Sequence, residues 1–270
     1  MRNQSYTFGL RHLLTNTFSI DKIVLALLKS GMVRKVLCLG ALVASSTFGA
    51  TLTHDYQLNG TYADSLGGPS LVSQGGSVSA SGYSFAARQG LSLSNAFVDF
   101  TNYSILLDFS FTDLTGYRKI VDFLNLASDN GLYNLAQSLD FFPVANSGTA
   151  DFAVNQPVRV ILTRASSGNT VTGYVNGVSK ISFTDSSSFA VFSAANNIAY
   201  FFEDDNVTSG NESSGGTATR VQIYNGVLTS AEAAALGGPP ITSVGTPEPA
   251  TLVLFGAGLV SLALFRRWTA

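Results

Sequence analysis

The middle of the chain alternates short apolar runs with turn residues. Tyr103–Phe111 ends in strict apolar/polar alternation, the period of a half-buried β-strand. Arg118–Leu124, Val158–Thr163, Val171–Val175, Lys180–Phe183, Ile198–Phe202 and Ala218–Tyr224 share its character. All are short, rich in Val, Ile, Phe and Tyr, and bounded by Gly, Asn, Asp or Ser. Asn176-Gly177, between Val171–Val175 and Val178–Phe183, suits a type I′ hairpin turn, whose two central residues both need positive φ. No strand–helix–strand rhythm is present, which argues against a parallel α/β fold. About a dozen short strands over residues 51–238 predict one mainly β domain, a β-sandwich. One short helix is expected at its end. Thr229-Ser230-Ala231-Glu232 fits a capping box, alanines continue to Leu236, and Gly237 suits a left-handed C′ position.

Both ends carry a different pattern. Met32-Val33-Arg34-Lys35 is a basic start, Val36–Ala44 an apolar core and Ser45–Ala50 a small-residue exit. That order reads as a signal peptide, cut between Ser46 and Ala50. Residues 1–50 are thus expected to be leader and signal helix, with Met32 the natural start. Near the other end, residues 239–246 form a linker rich in Pro, Gly and Ser. Pro247 and Pro249 keep the next segment extended. From Ala250 to Phe265 no residue is charged, and Arg266-Arg267 close the run. A bilayer core asks for about 20 residues, so this transmembrane helix is short and leans on Trp268 and the arginines for interfacial anchoring. Arginines on that side predict a cytoplasmic C-terminus with everything before it outside.

Charge changes the picture once the ends are set aside. The whole chain has a formal net charge of −2, but residues 51–249 hold seven basic against sixteen acidic residues, a net of −9. An acidic domain argues against nucleic acid as a partner, because phosphate binding needs clustered Lys and Arg. The single cysteine, Cys38, lies in the signal core, so the mature chain has no thiol for a disulfide, a nucleophile or a metal.

Pro247-Glu248-Pro249, the small-residue run Gly256-Ala257-Gly258-Leu259 and Arg266-Arg267 together resemble the PEP-CTERM sorting signal of exported bacterial proteins. The resemblance implies a transient inner-membrane anchor, residues 247–270, recognised by an exosortase-type membrane enzyme. The destination it implies is the cell surface or the extracellular matrix. Within the domain, Gln57-Leu58-Asn59-Gly60, Ala63-Asp64-Ser65, Arg164, Gly173-Tyr174-Val175-Asn176-Gly177, Phe201–Asp205 and Val221–Leu228 resemble the LamG-like, concanavalin A-like jelly rolls. That likeness implies fold more than function.

Candidate chemistry is sparse. Glu203-Asp204-Asp205 would offer alternate carboxylates if strand geometry persisted that far, yet a third alternate acid is missing. No catalytic residue is assigned, and the chain is expected not to be an enzyme. Asp64, Asp204 and Asp205, with loop carbonyls, are candidate oxygen ligands for calcium; the other reading is exposed acids closing strands and turns. His54 reads as an edge-strand or terminal surface residue. Gly67-Gly68, Gly75-Gly76 and Gly215-Gly216 read as turns. Tyr83, Phe85, Tyr117, Tyr133, Phe141, Phe142 and Tyr200 include either core or a sugar-stacking platform. The functions left open are a binding or structural matrix protein, alternatively a lectin-like polysaccharide-binding module, and less readily a glycan hydrolase.

Overall fold

The fold follows from that alternation. In a computed structural model, which describes residues 49–193 and 197–238, fifteen strands form two antiparallel sheets. They are β1 Thr51–Tyr56, β2 Val72–Ser73, β3 Ser77–Ser79, β4 Gly82–Phe85, β5 Leu91–Ser94, β6 Tyr103–Phe111, β7 Tyr117–Asp122 and β8 Gly131–Leu135. The chain continues through β9 Ser138–Phe142, β10 Ala145–Asn146, β11 Val158–Ala165, β12 Thr170–Val175, β13 Val178–Thr184, β14 Ile198–Phe201 and β15 Gly216–Asn225. A helix, α1 Ser230–Leu236, ends the described chain.

One sheet runs β13-β12-β11-β6-β15-β4-β3, with β1 also paired to β15; the other runs β10-β9-β8-β7-β14-β5-β2. Alternation along β6 sends Tyr103, Ile105, Leu107, Phe109 and Phe111 inward, where they join Ile120, Leu132, Phe141 and Phe201 of the second sheet in one core. Rings fill much of that space: Phe85 stacks on Phe202 at 4.9 Å and Phe97 on Phe192 at 4.2 Å.

The outer face of the first sheet buries a smaller apolar patch. Leu106, Ile161, Tyr174 and Tyr224 lie beneath Ala50, Leu228 and Ala233 of α1. The expected capping box is present: the Thr229 hydroxyl accepts from the Glu232 N–H and Glu232 accepts from the Thr229 N–H. The expected end of the helix is not. Gly237 has φ −74°, an extended residue, and lies against the backbone of Gly177 instead of turning left-handed. Gly216 likewise opens β15 and is no turn, since a Cβ there would meet Ser110 O at 2.2 Å. The signal, linker and C-terminal anchor segments lie outside the described residues. Among those described, no helix is long and apolar enough to cross a membrane.

Candidate functional site

The second sheet has the more chemically loaded outer face, and register explains why. Lys119 pairs with Tyr133 and Tyr133 with Asp140, so these three side chains share the face away from the core. A register shift between Lys119 and Val121 resets the alternation and puts Asp122, opposite Gly131 and Tyr200, on the same face. Lys119 is fully buried. Its Nζ lies 2.8 Å from Asp205 Oδ2, 3.8 Å from Asp122 Oδ2 and 4.2 Å from the centre of the Tyr133 ring. Gly131 leaves room for the stem, because a Cβ there would come within 3.2 Å of Lys119 Cδ.

Two loops bring the acids. In the first, Asp122 Oδ1 accepts from the N–H groups of Leu124 and Leu126, and Tyr133 Oη donates to Asp129 Oδ1 at 3.1 Å. The second starts where β14 ends. Phe202 has φ 66°, so strand geometry stops at Phe201 and the alternate-face arrangement of Glu203 and Asp205 does not form. Asp205 Oδ1 accepts from the N–H groups of Val207 and Thr208, and Asp204 Oδ2 from Glu212 N and Thr208 Oγ1. The Lys119 N–H donates to Glu212 O, laying this loop beside β7. Asp129, Asp205 and Glu212 thereby offer carboxylate oxygens within 4.8 Å of one another, close enough to hold one cation together.

Electrostatics divides these groups. Burial pushes the Asp205 carboxyl up, but the Lys119 ammonium and two backbone N–H groups outweigh it and hold Asp205 below its ordinary value. Asp122 goes the other way: burial dominates and raises it, and its Oδ2 accepts no hydrogen bond. Burial, reinforced by Asp129 and Asp204, lifts Glu212 to about 7. Burial and then Asp122 lift Glu203 to about 7. The Lys119 ammonium thus faces Asp122 and Asp205, with Asp129 and Glu212 gathered beside Asp205, and Glu203 and Glu212 hold protons close to neutrality.

Of the expected calcium ligands, Asp204 and Asp205 border this centre and Asp64 takes no part in it. Asp64 instead accepts from the N–H groups of Asp55, Leu66 and Gly68 and lies 2.7 Å from His54 Nδ1. Burial works to raise it, and those donors prevail to lower it. His54 stands on an edge strand as expected, but it is no surface residue; its Nε2 lies 3.0 Å from Ala96 O.

Lys119, Asp122, Asp129 and Glu212 were absent from the sequence reading, since residues 119, 129 and 212 come from unrelated stretches. Three consecutive acids at 203–205 were the one local hint that a buried base must answer them.

Of the seven aromatics weighed for sugar stacking, Tyr83, Phe85, Tyr133 and Phe141 are buried. Tyr117, Phe142 and Tyr200 remain half-buried. Tyr117 packs edge-on against both Tyr133 and Phe142, and Tyr200 Oη donates to Asn125 Oδ1. They rim the Lys119 centre on the outer face.

Comparison with known proteins adds two findings. Residues 246–267 match the PEP-CTERM protein-sorting motif. The chain carries a PEP-CTERM sorting signal. Pro247, Glu248, Pro249, Arg266 and Arg267 all fall within the match, outside the described residues. No curated protein sequence is similar to the chain. Among solved structures, domain 4 of the extracellular arabinanase AbnA from Geobacillus stearothermophilus, in complex with arabinotriose, superposes with a TM-score of 0.56 at 19% identity. The match covers 70% of this chain and 99% of that one. Trypanosoma rangeli sialidase superposes with a TM-score of 0.54 at 17% identity, over 83% of this chain and 40% of the sialidase. These likenesses establish the jelly-roll type of β-sandwich that the concanavalin A-like expectation called for, and at such identities they establish the fold alone.

Proposed function

We propose that the PEP-CTERM chain is an exported, non-enzymatic bacterial protein whose β-sandwich serves a binding or structural role at the cell surface or in the extracellular matrix. Its route is signal-peptide export, a transient inner-membrane anchor at residues 247–270, and release by an exosortase-type enzyme. The observation that carries this reading is the sorting motif at 246–267, beyond the last described element of a self-contained sandwich. The non-enzymatic part rests on how the carboxylates are used. Asp205 is tied to Lys119 and to the 206–208 turn, so the closest acids are engaged in holding loops together. General acid/base hydrolysis of a glycan instead needs two carboxyls facing an open cleft, about 5–10 Å apart.

Cell fractionation with intact-mass measurement in the native host tests the route. A species lacking residues 251–270 and found outside the inner membrane is expected. A mass retaining that segment in the membrane fraction would refute sorting.

A second reading, polysaccharide binding, is favoured by one feature: Tyr117, Phe142 and Tyr200 are half-exposed on the face that Lys119 and Asp140 also share. Aromatic faces of this kind stack on sugar rings. Retention on immobilised polysaccharide, lost in Tyr117→Ala and Phe142→Ala, would support it; equal retention of the variants would exclude this face.

A further inference from the structure

Lys119, Asp122 and Asp205 form a triad closed off from water, since none of the three is more than 1% exposed. The register shift between Lys119 and Val121 aims the first two at each other; in an unbroken strand, residues three apart point to opposite faces. The two carboxyls then meet the ammonium differently. Asp205 Oδ2 lies 2.8 Å from Nζ and its Oδ1 accepts from the Val207 and Thr208 N–H groups, the partners of an ionised carboxylate. Asp122 Oδ1 accepts from the Leu124 and Leu126 N–H groups at 3.1 and 2.8 Å. Its Oδ2 has no hydrogen-bond partner and lies 3.8 Å from Nζ, the place of a neutral acid's hydroxyl. Burial, which raises Asp122, agrees with this; at Asp205 burial is outweighed by Lys119 and the backbone donors. Two acids driven apart in this way divide the parts of electrophile and base.

The chemistry open to such a triad is condensation. Asp205 takes one proton from the ammonium, and the freed amine attacks Asp122 Cγ. The Leu124 and Leu126 N–H groups are placed to hold the oxyanion that develops on Oδ1. Asp122 Oδ2, which carries its acid proton, takes a second proton from the nitrogen and leaves as water. The Nζ–Cγ bond forms, the Cγ–Oδ2 bond breaks, and Asp205 ends as a neutral acid. One ammonium and one carboxylate become neutral groups, and nothing is oxidised or reduced. Two effects drive the step. Groups held in contact react as though at about 10⁵–10⁸ M when well oriented. The product also removes a buried ion pair, whose desolvation is costly.

We propose that Lys119 and Asp122 become joined by a side-chain amide in the folded protein, with Asp205 as the base for its formation. The ion pair of Lys119 and Asp205 is the reactant state, and the reaction is a single turnover of the chain on itself. The amide would lock the irregular end of β7 at the point where the 123–130 loop departs.

Tryptic mapping of the full-length chain, folded, purified and then denatured, tests this. Trypsin cuts after a free Lys119 to release residues 120–159, and the amide blocks that bond. The expected product is residues 119–159, lighter than its sequence by one water, with fragmentation placing the loss between Lys119 and Asp122. A peptide of unaltered mass, whether it starts at Lys119 or Ile120, overturns the proposal. A branched product joining Lys119 to Asp205 overturns it equally, because it names the wrong electrophile. Asp122→Ala is expected to restore full peptide mass; a blocked Lys119 that still lacks one water there would place the amide elsewhere and refute the assignment. Asp205→Asn, in molecules that still melt cooperatively, is expected to abolish the amide. Formation as complete as in the parent chain would refute Asp205 as the base.

Discussion

At the scale of single residues, Lys119 has the largest stake. Its ammonium is buried and, among the described residues, is the one cation paired with Asp122 and Asp205, so removing it strands two carboxylates out of water. Lys119→Met should destabilise the domain by about 3–5 kcal/mol, the usual cost of breaking a buried pair from one side. The double variant Lys119→Met/Asp205→Asn should recover part of that loss in urea titration, since it removes the stranded charge as well. The neighbouring glutamates set a pH dependence whose sign is fixed. Glu203 and Glu212 are lifted to about 7 in the folded chain, above the ordinary 4.5, so the native state holds protons that the unfolded state releases. Their contribution is full below about pH 4.5 and is lost as pH rises to about 7. Carboxylates held low, such as Asp64 and Asp205, work oppositely, losing their contribution only in stronger acid. The urea midpoint should therefore be higher near pH 5 than at pH 7.5, and Glu203→Gln/Glu212→Gln should flatten that slope. A midpoint rising steadily from pH 5 to 7.5 would contradict the arrangement.

At the scale of elements, local chemistry was legible where the residue types matched the backbone they adopt. Asn176 and Gly177 take φ 48° and 80° and join β12 to β13 with Val175 opposite Val178, the tight hairpin their identities announce. The hairpin joining β8 to β9 has the same geometry with no such residues. Ala136 and Gln137 sit at φ 46° and 79°, with Leu135 opposite Ser138, and nothing in Ala-Gln signals a turn. Tertiary hydrogen bonds hold it instead: the Ala136 N–H donates to Gly116 O, and Gln137 O accepts from Asp151 and Phe152. Left-handed backbone costs a residue with a Cβ about 1 kcal/mol. Gln137→Gly should therefore stabilise the domain by roughly 0.5–1 kcal/mol, read as a raised urea midpoint with unchanged slope. The helix obeys the same logic in reverse. Its capping box was readable, and Thr229→Ala should cost about 1 kcal/mol. Its C-terminus was not, because Gly237 is set by contact with Gly177, 60 residues earlier, and no local pattern carries that.

At the scale of the whole molecule, closure depends on pairings that no window of sequence contains. β1 pairs with β15 from Thr51↔Asn225 to Tyr56↔Val221, and Arg220 clasps Asp55 through two hydrogen bonds of 2.9 and 3.0 Å. Arg164, fully buried, reaches Asp185, Thr101 O and Asn169 at once. A sandwich class could be read from strand spacing, but which strands lie together, and hence which acids meet Lys119, is a property of this closure. The closure also brings the two ends of the domain to one place, Gly49 against Glu232. Every described strand then lies between those neighbouring points, and the core draws on both sheets. A chain of residues 49–238 should consequently fold alone and unfold in one cooperative transition, read by thermal or urea melting. Without its far partner, β1 has no other sheet to join, so removing residues 216–238 should abolish that transition altogether. Cooperative unfolding that survived the second truncation would mean that β15 is not the strand on which the first sheet closes.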